Sequence, residues 1–94
     1  MVIYDSIIIQ KNFVLRFIMD ERDSASDLQI KFGQHLKSLR EKKNISSAEM
    51  ARRCLMDRSN YSRIEMGNTN PTLQTLVILS KALGVSMEEL FEGF

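Results

Sequence analysis

Residues 58–67 read RSNYSRIEMG, and what this stretch becomes decides the fold. Tyr61, Ile64 and Met66 are its apolar residues; the others are small, polar or charged. Wound as a helix, it puts Tyr61 and Ile64, three apart, on a face that must be covered, and Arg58, Ser59, Ser62 and Arg63 on the other side. The rest of the chain must cover the first face, and the second needs a purpose.

Immediately upstream, Ser46 and Glu49 have the spacing of a capping box, and Ile45 and Met50 that of a hydrophobic staple. A helix is therefore expected from Ser47, burying Met50, Ala51 and Cys54. Asp57 is the expected N-cap of the quoted helix and Gly67 its stop, leaving about three residues between the two helices. Further upstream, Phe32, Leu36 and Leu39 recur at spacings of four and three, which predicts a helix over roughly residues 29–43 ended by Asn44.

Downstream, GNTNPT collects turn formers and the single proline, and reads as a loop. Thr72 then caps a fourth helix carrying Leu73, Leu76, Val77, Leu79 and Leu83, the expected centre of the core, which Gly84 closes. Ser86 with Glu89 forms a second capping box and Val85 with Leu90 a second staple. The last helix is expected to bury Met87, Leu90, Phe91 and Phe94. No strand is expected in this part of the chain, so the fold class is all-α.

The chain divides at residue 27. Residues 28–94 form the helical domain, whereas 1–27 make an N-terminal extension that is either a disordered arm, short strands, or a stretch upstream of a true start at Met19. Its apolar run is broken by Asp5, Lys11 and Arg16, and no uninterrupted apolar run in the chain exceeds four residues, too few for a membrane span. A cytoplasmic protein is expected. The single Cys54 excludes an internal disulfide framework and a Cys-rich zinc site.

The net charge of +1 conceals a division along the chain. Residues 31–63 carry nine Lys or Arg against three acids, a local balance of +6, and the remainder stands at −5. A basic middle beside an exposed polar helix is what a phosphate-backbone partner requires, although solvated helix faces produce such a split too. Two short helices joined by a tight turn, the second presenting polar groups on a basic surface, describe a helix-turn-helix.

At this point the run from Phe32 to Phe91, with its SRIE…G…NP signature over Ser62–Glu65, Gly67 and Asn70–Pro71, resembles the XRE family of phage repressors and Cro. The resemblance covers about sixty residues. It implies a compact five-helix, lambda-repressor-like domain, a homodimer on a pseudopalindromic operator in double-stranded DNA, and transcriptional control, usually repression.

The major groove admits a helix and presents a donor and acceptor pattern that distinguishes every base pair. Arg58, at the head of the third helix, is the leading candidate for bidentate contact with guanine, and Arg63 for a base or a phosphate. Ser59 and Ser62 allow close approach and hydrogen bonding, while Asn60 is either a groove contact or a capping residue. The resemblance adds Ser47 as a phosphate ligand, where the family usually has Gln, and Asn68, Thr69 and Asn70 as a loop touching the adjoining backbone, against the alternative of simple turn chemistry. It also implies a structural ion pair between Arg40 and Glu65. The family mostly has an aliphatic residue at Tyr61, whose hydroxyl is expected to reach solvent. The family commonly has Gly at Leu55, and the turn there is expected to shift rather than keep a left-handed residue.

Two other functions compete with a DNA-binding regulator. One is an antitoxin that binds both its promoter and a toxin, with the acidic tail and the N-terminal arm as contacts. The other is a protein-interaction module using Ile78, Phe94 and the N-terminal segment. The basic middle favours DNA over the latter. An enzyme is not expected, since paired carboxylates, a metal cluster and a phosphate-binding glycine loop are all missing from the sequence. His35 and Cys54 lack an orienting third group, and His35 lacks metal-binding company. No cofactor is expected.

Overall fold

The computed structural model describes residues 25–94, which form five helices. These are α1 (Ala25–Lys42), α2 (Ser47–Arg53), α3 (Arg58–Glu65), α4 (Leu73–Leu83) and α5 (Met87–Leu90). Residues 1–24 of the N-terminal extension lie outside the described residues, and α1 begins at Ala25, within the last residues assigned to that extension.

Each helix gives one large, fully buried side chain to a common centre: Leu36 from α1, Met50 from α2, Tyr61 from α3, Leu79 from α4 and Leu90 from α5. Burial of each is worth about 1.5 to 3 kcal/mol in transfer from water, so no helix stands without the others. Phe32, Ala51, Cys54, Ile64 and Leu83 close around this centre.

Four helices end the same way. After α1, α2, α3 and α4, a residue in the left-handed region donates its N–H to the carbonyl three back, and the next residue bonds the carbonyl five back. This is the Schellman geometry, which satisfies the carbonyls left over at a helix end. Asn44 (φ 56°), Gly67 (φ 77°) and Gly84 (φ 73°) suit it; Leu55 (φ 55°) does not. The expectation of a shifted turn is therefore wrong. Leu55 keeps the left-handed conformation, at a cost on the order of 1 kcal/mol, and its side chain is 94% exposed. The bond from Met56 N–H to Ala51 O (3.0 Å) holds it there.

Helix starts follow the sequence with three exceptions, one being α1, which begins at Ala25 and not near residue 29. Ser46, Thr72 and Ser86 accept from the backbone N–H three residues on, and Glu89 completes a capping box by accepting from Ser86 N–H at 3.2 Å. Glu49 completes no such box, because Arg52 and Arg53 take its carboxylate. Asp57 occupies the N-cap of α3, but its side chain makes no capping bond. The last helix buries only Leu90 fully. Phe91 and Phe94 remain partly exposed, packing ring to ring with Phe32 at centroid distances of 5.6 and 6.1 Å. Leu73, expected in the core, faces solvent at the start of α4.

Candidate nucleic-acid interface

The two faces of α3 separate as their residue types require. Tyr61 and Ile64 are buried, Arg58, Ser59, Asn60 and Arg63 are exposed, and Ser62 is half-buried. Among the described residues, no ion pair or hydrogen bond engages the side chains of these last five. Two guanidinium groups, two hydroxyls and an amide thus stand along one ridge with their polar groups unspent, which suits them to a partner rich in acceptors.

What holds the ridge in place lies behind it. Arg40 of α1 reaches Glu65 at the end of α3 with Nε–Oε2 2.6 Å and an Nη2–Oε1 bond of 3.1 Å, and both side chains are about nine-tenths buried. A third Arg40 donor takes the carbonyl of Ile45 at 2.7 Å, tying the α1–α2 turn into the same cluster. The bond from Glu65 is the largest factor raising the Arg40 pKa above its ordinary value. The Tyr61 hydroxyl, expected in solvent, instead donates to Glu65 Oε2 inside the core. Burial, then the Glu65 bond, pushes the phenol upward. A buried hydroxyl needs an acceptor, and the i,i+4 spacing to Glu65 supplies one.

Gly33 completes the fit. A Cβ there would stand 2.3 Å from Glu65 O and 2.6 Å from Ile64 O, so α1 and the end of α3 touch backbone to backbone. Sequence reasoning passed over Gly33, although a glycine inside a helix is itself a signal of close approach.

The remaining candidates are distributed around this ridge. Ser47 sits half-buried in the first turn of α2; Asn68 and Asn70 are exposed in the loop after α3, and Thr69 is half-buried. Gly67, which starts that loop, is buried, and a Cβ on it would lie 2.5 Å from Ile30 Cα. Gln29, missed in the sequence, donates from its amide to Gly67 O and Thr69 O, both at 3.2 Å, in the orientation that satisfies its oxygen and nitrogen together.

The cationic middle is thinner than its count implies. Arg40 is internal, and Arg52 and Arg53 share Glu49, whose carboxyl is held down to about 2, first by the bond from Arg52. Arg53 also donates to Ala82 O of α4 at 3.1 Å. His35 Nε2 donates to Leu90 O at 2.8 Å, tying α1 to α5. Cys54 is buried, which pushes its thiol pKa upward, so neither residue is placed for nucleophilic work. Among the described residues, no helix is long and apolar enough to cross a membrane.

Comparison with known proteins agrees with this geometry. Residues 36–90 match the helix-turn-helix family model. The control protein C.MunI of a Mycoplasma species is 42% identical over 67 residues, 70% of this chain and 90% of that protein. The control protein C.BamHI of Bacillus amyloliquefaciens is 34% identical over 68 residues, 71% of this chain and 84% of that protein. Among solved structures, the restriction-modification controller protein C.AhdI from Aeromonas hydrophila superposes with a TM-score of 0.64 at 36% identity, covering 67% of this chain and 96% of that one.

Proposed function

We propose, from the premise that this chain belongs to the helix-turn-helix family of transcriptional regulators, that it acts as a homodimer on a pseudopalindromic operator and represses transcription there. The observation that carries this is the open ridge of α3, where Arg58, Ser59, Asn60, Ser62 and Arg63 project without internal partners from a helix whose other face is locked into the core. Arg58 takes a guanine through paired donors; Arg63 and the short serines read or approach the neighbouring bases. Ser47 and the loop of Asn68, Thr69 and Asn70 bind phosphates on either side and fix the register of the ridge.

One helix of this length reads too few base pairs for a useful address, which is why two copies are required. The names of its relatives point to a control gene of a restriction-modification system as the setting, with action on DNA in the cytoplasm. Selection of bound duplexes from a random pool tests the reading. It is expected to return inverted half-sites spaced by about one helical turn, 10 to 10.5 base pairs centre to centre. A single unpaired half-site would remove the dimer, and no enrichment would remove sequence-specific recognition.

A further inference from the structure

The loop that follows α3 has no regular structure, yet two features of α1 and one of α3 fix it. Gly67 packs against the backbone of Ile30 so closely that a Cβ would lie 2.5 Å from Ile30 Cα. Asn68 N–H closes the end of α3 on Arg63 O at 2.9 Å. In the amide orientation that satisfies both of its polar atoms, Gln29 Nε2 donates to the carbonyls of Gly67 and Thr69, both at 3.2 Å, on either side of Asn68. An amide NH2 has two donors, enough for one carbonyl on each side of Asn68. The side chains of Asn68 and Asn70 remain exposed beyond the clamp.

We propose that Gln29 is a positioning residue for DNA binding: it touches no nucleotide but holds the loop of Asn68, Thr69 and Asn70 at the height where it meets the phosphate backbone. The inference rests on the DNA-binding reading given above. Because phosphate contacts carry no sequence information, losing the clamp weakens binding without altering the bases preferred.

The test uses the full chain with Gln29→Glu, which keeps the side-chain size but removes both donors, and Gln29→Ala. Affinity is measured by fluorescence anisotropy on the selected operator and on a random duplex, across a salt series well below the unfolding temperature. Gln29→Ala is expected to lose about three- to tenfold on both duplexes alike, and Gln29→Glu, whose carboxylate also repels the facing carbonyls, at least as much, with the log-log salt slope nearly unchanged because the loop's contacts carry no charge. In a chain already carrying Asn68→Ala and Asn70→Ala, Gln29→Ala is expected to add little, since residues acting through one another are not additive. Unchanged affinity in folded variants would overturn the assignment, as would full additivity with the loop substitutions or a loss confined to the operator. A parent chain that binds no duplex would instead overturn the DNA-binding reading itself, and this inference with it.

Discussion

Arg40 and Glu65, twenty-five residues apart in sequence, form a two-point ion pair that fastens the C-terminal end of α3 to α1. The pair lies at the only end of the helix that the ridge does not use, so it controls orientation while leaving the exposed face free. Removing one partner strands a charge in a nearly dry site. Arg40→Ala is expected to cost about 3 to 5 kcal/mol in urea unfolding. Arg40→Lys should recover little, because a single ammonium cannot serve Glu65 twice and reach Ile45 O as well. Full recovery with lysine would show that charge alone matters.

Tyr61 predicts the alkaline limit of stability. Its phenol pKa is raised in the fold, above the ordinary value of about 10. A raised pKa means that the folded chain keeps a proton the unfolded chain gives up, so this contribution is complete below pH 10 and declines as the pH climbs past it. Tyr61→Phe should lower stability at neutral pH and flatten the fall in melting temperature between pH 9 and about 11. Parallel curves for the two proteins would refute the raised phenol pKa.

Glu49 acts at the opposite limit. Its carboxyl is depressed to about 2 by Arg52 and Arg53. The contribution is present above the ordinary carboxylate range and is lost as the pH falls from there towards 2. The group is exposed, so the effect is small and salt-sensitive. Glu49→Gln should reduce the slope of melting temperature against pH between 4.5 and 2 at low salt, and the difference should shrink in high salt.

Leu55 offers a gain. With φ at 55° and its side chain in water, it contributes strain without compensating burial. Leu55→Gly is expected to stabilise by about 0.5 to 1 kcal/mol, the relief of the left-handed conformation less the extra chain entropy of glycine. Destabilisation by a similar amount would mean that the exposed leucine is covered by something in solution.

Much of the fold was legible because its signals are local. Apolar spacing located Phe32 and Leu36 in α1 and Tyr61 and Ile64 in α3, and Ser46, Thr72, Ser86, Asn44 and Gly84 marked boundaries through bonds made within a few residues. What escaped depends on contacts between distant segments. Gln29 and Gly33 acquire their roles only once α1 crosses the end of α3, and Arg53 is drawn from the cationic surface by a carbonyl in α4. Leu55 misled for a different reason: its residue type argued against a left-handed turn, but the hydrogen bonds ending α2 outweigh that preference. The ridge itself was legible as a polar face, since a short helix with two core residues can bury only one side.

That ridge is tested most directly by comparing the base preferences of the parent chain with those of Arg58→Ala, each selected from the same random duplex pool and measured on the winning operator. Loss of about 1 to 3 kcal/mol on the operator, with preference relaxed at one position in each half-site and little change on random DNA, is the predicted result. An equal loss on operator and random duplexes, with the preferred sequence intact, would place Arg58 on the phosphates and contradict the reading of α3 as the helix that reads bases through it.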